Sequence, residues 1–230
     1  MSALPPVQFY FDYISSNAYL AWLELPELAA KHGRSIAAVP TLFAGLLGAH
    51  GQLGPAEIPA KAGWMFRNNL RKAALLGVPL NAPLHHPFNP LLALRVSSAP
   101  ETEAERSRAI GALFRAVWVE RQHVSEVAVV ERVLEAAGLR GAELVARAQS
   151  AEAKQRLRAD TQAAIARGVF GVPTMIVGGE LFWGYDDFAF LELHLAGKDP
   201  LTPDAVTRWA GKSSPSAMRP EALRARAKQS

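Results

Sequence analysis

Apolar and polar positions change their period along this chain, and each change marks a different kind of element. Val7, Phe9, Phe11 and Tyr13 alternate with Gln8, Tyr10 and Asp12. That two-residue period, in aromatic and β-branched residues, predicts a strand. It stops at Ile14-Ser15-Ser16-Asn17, whose short oxygen-bearing side chains favour the first positions of a helix. A helical spacing follows, with Tyr19, Trp22, Leu23 and Pro26 on one stripe, and runs to Lys31-His32-Gly33. Pro26 is expected to kink this helix or to open its second half. Ile36 to Val39 reads as a second short strand.

The Gly- and Pro-rich segment 45–59 reads as a loop. A helix then starts near Pro59 and stops at Gly77. Further on, Ile110, Leu113, Phe114 and Val117 form one helical stripe, and Val127, Val130, Leu134 and Ala137 another. Two more helices are expected at about 140–149 and 151–167. Strand character returns only in 172–177 and 180–184, joined by Gly178-Gly179 as a hairpin turn. A last helix, Phe188 to Leu195, ends at Gly197. The order β-α-β, helical block, hairpin and helix suits an α/β fold: a thioredoxin-like four-stranded sheet split by a large all-α insertion. On that reading 1–45 and 165–200 form one discontinuous domain, 46–164 is a separate helical lobe giving no strand to the sheet, and 201–230 is a basic tail. Gly171-Val172-Pro173-Thr174 opens a strand where thioredoxin folds keep a cis-proline, so a cis Val172–Pro173 bond is expected, facing the Ser15 junction.

Composition narrows the chemistry. Half of the 230 residues are apolar and a fifth charged, enough to bury a sizeable core. Cysteine is absent, which removes disulfides, zinc–thiolate and iron–sulfur sites and dithiol redox chemistry together. No apolar run approaches the ~20 residues of a membrane helix, and MSALPPVQFYFDY lacks the marks of a secretory signal; a soluble cytoplasmic protein with no membrane partner is the default expectation. The net charge of +4 lies largely in Arg208, Lys212, Arg219, Arg224, Arg226 and Lys228. With only Trp209 nearby for base stacking, this reads as a solvated tail and not as a nucleic-acid surface. His85-His86, between Pro83 and Pro87, reads as a turn, and no metal is expected. Ala210-Gly211-Lys212-Ser213 mimics the end of a P-loop, yet Val206 stands where glycine is needed.

What remains is the strand–Ser15–helix junction. A hydroxyl there lies in the positive field of the helix N-terminus, at the sheet edge where open α/β folds bind ligands. Thioredoxin-fold enzymes place their active thiol at this point; here, with Ser15, any thiol must arrive with a cosubstrate. The plain alternative is that Ser15 or Ser16 only caps the helix. The stretch Phe9-Tyr10-Phe11-Asp12-Tyr13-Ile14-Ser15, with Ala18-Tyr19-Leu20-Ala21, resembles the signature of the 2-hydroxychromene-2-carboxylate isomerases, grouped with the kappa-class glutathione transferases in the thioredoxin superfamily. PTLFAGLLGAHGQLGPAEIPAK, HPFNPLLALR, GVFGVPT and ELFWGYDD resemble that family in the same order, over about residues 7–197.

The resemblance implies glutathione as cofactor, with Ser15 holding its sulfur as thiolate. It implies that Pro173 is the cis-proline and that the backbone of Val172 pairs with the cysteinyl part of glutathione. Lys61, Trp64 and Asn68 share a face of the helix from Pro59. Lys61 there resembles a cation for a ligand carboxylate, with Trp64 and Asn68 toward the substrate. An exposed lysine is the alternative. Asn89 resembles a pocket asparagine for a substrate oxygen. Asp186 would receive the γ-glutamyl ammonium, with Asp187 beside it; both acids can also cap the next helix. Ser16 replaces the family's usual proline, Asn17 a frequent aromatic and Asn68 an aspartate, which leaves the loop shape open. The implied activity is glutathione-dependent isomerisation of 2-hydroxychromene-2-carboxylate to trans-o-hydroxybenzylidenepyruvate, in naphthalene-type aromatic catabolism, by a homodimer. A kappa-like transferase acting on another electrophile, and a non-catalytic thioredoxin-like binding protein, are the alternatives.

Overall fold

The computed structural model describes residues 4–210. Its sheet has four strands in the order β2-β1-β3-β4, with β1 Val7–Phe11, β2 Ile36–Pro40, β3 Thr174–Val177 and β4 Glu180–Trp183. β1 pairs with β2 in parallel and with β3 antiparallel. The β3–β4 hairpin turns through Gly178 and Gly179, at φ 60° and 99°, a left-handed pair that glycine adopts without steric cost. All four strands of the sheet thus come from the two ends of the 7–183 segment, as the period-2 patterning predicts.

β1 is one of the two inner strands, and both of its faces are covered, which is why its residues are apolar almost throughout. Phe9, Phe11 and Tyr13 point to one side, fully buried. There they meet Trp22 of α1 (Ser16–Lys31) and Phe114 of α5 (Glu103–Trp118), at ring-centroid distances of 5.7 Å for Phe9–Trp22 and 4.7 Å for Tyr13–Phe114. On the other side Tyr10 and Ile176 pack with Leu46 of α2 (Phe43–His50), Ala164 of α8 (Ala151–Ala166) and Val169. Between α2 and α8 the chain also forms α3 (Pro59–Leu76), α4 (Leu91–Val96), α6 (Val127–Ala136) and α7 (Gly141–Ala148). Helices of the middle block therefore complete the core on both faces of the sheet, and Met1–Phe188 form one compact unit instead of a sheet layer and a separate lobe.

Two local expectations are corrected. Residues 43–50, which overlap the start of the 45–59 segment read as a loop, are helical, and Pro55–Glu57 is a 3-10 turn. Gly45 serves packing: a Cβ on it would stand 3.0 Å from the Thr161 methyl on α8, so its absence lets α2 approach. In α1, Leu23 and Pro26 are exposed, and the buried stripe is Ala18, Ala21, Trp22, Leu25 and Leu28. The helix runs on through Pro26, whose missing N–H falls on the solvent side.

Ala189–Ser230 is a second unit, described here to residue 210, so the boundary falls one residue inside α9 (Phe188–Leu195). It also contains α10 (Pro203–Ala210), and within it His194 Nδ1 meets Asp199 Oδ2 at 2.9 Å. The basic residues from Lys212 on, and the P-loop-like run apart from Ala210, lie outside the described residues. Among the described residues no helix is long and apolar enough to cross a membrane.

Candidate active site

Ser15 occupies the N-cap of α1 in extended backbone geometry, φ −96° and ψ 113°. Its Oγ accepts from the Ala18 N–H at 3.1 Å, the bond a capping serine makes. The same hydroxyl donates to the Val172 carbonyl at 3.2 Å, across 157 residues of chain. The Val172–Pro173 bond is cis, as expected from Gly171-Val172-Pro173-Thr174. Capping and site roles are thus compatible: one oxygen closes the helix, and its single proton points at the segment before the cis-proline. Among the described residues the Val172 N–H donates to no protein acceptor. The Pro173 carbonyl accepts from Gly184 N at 2.8 Å, and the indole Nε1 of Trp183 lies so close to Gly171 that a Cβ there would stand 2.5 Å from it.

The backbone that presents Ser15 is fixed group by group. Asp12, fully buried, accepts from Ile14 N at 3.1 Å through Oδ1 and from Phe43 N, the first residue of α2, at 2.9 Å through Oδ2. Burial pushes its carboxyl up to about 7, against the opposing pull of those backbone N–H groups. Ser15 N donates to the Asp12 carbonyl at 3.1 Å. The indole of Trp118 donates to the Tyr13 carbonyl at 2.9 Å. His86 Nε2 lies 2.9 Å from the Ile14 carbonyl, which can only accept, so this nitrogen carries the proton. Every carbonyl from Asp12 to Ile14 therefore has its own partner: the Ser15 N–H, the Trp118 indole and the His86 imidazole.

The third wall comes from α3 and the 3-10 turn Tyr185–Asp187. Asn69 Nδ2 donates to Ser16 Oγ at 2.6 Å. Lys72 Nζ donates to Asn17 Oδ1 at 3.0 Å and to Asp186 Oδ2 at 2.7 Å, and lies 5.5 Å from the centre of the Tyr185 ring. The Tyr185 hydroxyl donates to Glu24 Oε2. Its own ionisation is pushed up by burial first, then by Glu24 and Asp186, so it stays neutral. Sequence reasoning missed Asn69 and Lys72. The signal was there: Lys72 is eleven residues after Lys61, three helical turns, and so on the same stripe.

The predicted residues divide accordingly. The structure brings together Ser15, Val172, Pro173 and, through Lys72 and Asn17, Asp186. It leaves Lys61 and Trp64 exposed on the outer turns of α3, about 16 Å along the axis from Lys72 for Lys61. Asn68 is half-buried beside them. Asn89 spends its Oδ1 on the N–H of Leu91 at 3.0 Å, at the start of α4. Asp187 accepts from Trp183 N at 2.8 Å and so closes the end of β4.

Residues 6–196 match the family model of the DsbA-like thioredoxin domain. A 2-hydroxychromene-2-carboxylate isomerase from Pseudomonas putida is 32% identical over 189 residues, covering 81% of this chain and 92% of that protein. Glutathione S-transferase kappa 1 from Caenorhabditis elegans is 25% identical, covering 90% of this chain and 97% of its own length. Among solved structures, a 2-hydroxychromene-2-carboxylate isomerase superposes with a TM-score of 0.77 at 30% identity, over 90% of this chain and 99% of that one.

Proposed function

The chain belongs to the DsbA-like thioredoxin family and, within it, to the 2-hydroxychromene-2-carboxylate isomerases, and from that premise we propose that it isomerises 2-hydroxychromene-2-carboxylate to trans-o-hydroxybenzylidenepyruvate with glutathione as cofactor. The observation that carries the reading is the Ser15 hydroxyl, at the N-terminus of a 16-residue helix and in contact with the residue before a cis-proline. With no cysteine in the chain, a thiol has to be brought in, and the groups here fit one carried by a small peptide. A hydroxyl and a helix N-terminus suit a thiolate. The Val172 N–H suits an extended peptide backbone. The exposed carboxylate of Asp186 suits an ammonium.

When bound, glutathione supplies a nucleophilic thiolate. An ordinary thiol, with a pKa of about 8.5, is mostly protonated at neutral pH. In this reading Ser15 turns its proton from the Val172 carbonyl to the sulfur, and the first N–H groups of α1 add their field. Val172 orients the peptide, Pro173 shapes the segment, and Asp186, with Asp187 bracing the turn, holds the amino end. Lys61, Trp64 and Asn68 form the outer rim toward a carboxylate and the aromatic ring, while the amide nitrogen of Asn89 serves an oxygen. The helical segment 46–164 is in this view an insertion that delivers α3 to the junction. The active form is a cytoplasmic homodimer working in naphthalene-type aromatic catabolism.

The relative among kappa-class transferases favours a second reading, transfer of glutathione to a different electrophile. Turnover of the chromene with and without glutathione, beside a generic electrophile, decides. Chromene turnover that requires glutathione is expected. Turnover of the generic electrophile alone shifts the assignment to a transferase, and no turnover of either makes the chain a binding protein.

A further inference from the structure

Among the described residues, Lys72 is a cation hydrogen-bonded to the first turn of α1, through Asn17, and the proposed chemistry above gives it no part. Its side chain is only 9% exposed, whereas that of Asp186, its ion-pair partner, is 66% exposed. A buried lysine is costly to desolvate unless its N–H groups are satisfied. Here one goes to Asn17 Oδ1 and one to Asp186 Oδ2, and the aromatic face of Tyr185 lies 5.5 Å away. We propose that Lys72 is a positioning residue of the site: pinned to Asn17, two residues after Ser15, its ammonium adds positive charge beside the helix N-terminus and favours the ionised form of a thiol bound at Ser15.

The charges facing this ammonium decide whether its field survives. Asp186, on the turn after β4, is the direct counter-charge, but it stands largely in water, where its field is screened more than that of the buried ammonium. Glu24, on α1, is engaged by the Tyr185 hydroxyl. It lies eight residues after Ser16, about 12 Å down the helix axis from the N-terminus. Tyr185 is neutral, and Asn17 contributes only a dipole. The balance at the first turn of α1 is therefore positive. It becomes more so when Asp186 receives a ligand ammonium, which neutralises the carboxylate and leaves Lys72 uncompensated. The arrangement also explains Asn17 at this place in the helix, where a carboxamide oxygen can reach the ammonium without cancelling its charge.

The inference rests on glutathione being the bound thiol, and the test separates the two. Glutathione is titrated on the protein across neutral pH, with thiolate followed by its ultraviolet absorbance and occupancy by calorimetry. K72M removes the charge while keeping an unbranched side chain of similar length; K72R keeps the charge. The expected result is an ionisation midpoint about one pH unit higher in K72M, with roughly tenfold less thiolate well below the midpoint, and a return toward wild type in K72R. A role confined to packing leaves the midpoint of K72M unchanged. Should K72M fail to fold, K72Q is read on the same scale. An unchanged midpoint with glutathione bound overturns the role of Lys72 and leaves the proposed function standing. No thiolate signal in the wild type overturns the function and this inference with it.

Discussion

The two halves of α3 carry one stripe of side chains into two environments. Lys61 and Trp64, on the outer turns, are exposed, Trp64 at 60%. Asn69 and Lys72, one and two turns further, are buried and bonded to Ser16 and Asn17. Helical period alone makes Lys61 and Lys72 equivalent, eleven residues apart on one stripe; what separates them is how far along its axis α3 meets the first turn of α1. Polar residues at the inner turns are fixed parts of the junction, whereas similar residues at the outer turns remain free to meet a ligand.

Breaking the junction that the inner turns meet should cost most, beginning with the buried acid behind it. The folded-state carboxyl of Asp12, at about 7, lies above its ordinary value of 3.8. The folded protein therefore holds that proton more tightly than the unfolded chain. Its contribution to stability is complete below about pH 4 and is lost as pH rises to about 7, on the order of 4 kcal/mol over that window. Denaturant unfolding measured across it should show this decline in the wild type and a much flatter profile in Asp12→Asn. Equal slopes would break the assignment.

At the junction itself, Ser15→Ala removes a hydroxyl proposed to donate to a thiolate, worth about 1.5–3 kcal/mol. The expected outcome is a 10- to 100-fold fall in glutathione-dependent turnover, by the rule that about 1.4 kcal/mol is tenfold, with the pH optimum moved upward. If Ser15 acts only as a cap, thermal stability falls by about 1 kcal/mol while turnover per folded molecule and its pH profile stay intact.

Neighbouring asparagines test the two halves directly. Asn69→Ala leaves the buried Ser16 hydroxyl without its donor and should lower unfolding free energy by about 1–2 kcal/mol. Asn68→Ala, half-buried and on the ligand side, should change it by less than about 0.5 kcal/mol. Similar losses at both positions would show that the two halves are not distinct. The smallest structural effects belong to Lys61→Ala and Trp64→Ala. Each should leave stability within about 0.5 kcal/mol. A raised KM with kcat preserved would place them on the ligand rim, and unchanged kinetics would remove them from it.

The strands, the Gly178-Gly179 turn and the capping role of Ser15 were legible in the sequence because each is a local rule. Alternation sets a strand's faces, glycine permits positive φ, and a short hydroxyl side chain satisfies a helix N-terminus. The cis-proline was legible through the thioredoxin-like reading and a resemblance carried by many short motifs in order, and the role proposed for Ser15 rests on the same resemblance. Tertiary structure decided three things: that residues 43–50 are helical, that Asn69 and Lys72 are the residues of α3 tied to the junction, and that Asp12 is buried under it. Each depends on what approaches from elsewhere in the chain: α8 against Gly45, α1 against the inner turns of α3, and α2 over the Asp12 carboxylate. Local pattern fixes which side of an element is apolar; the distance along it at which another element arrives is set only when all of them pack.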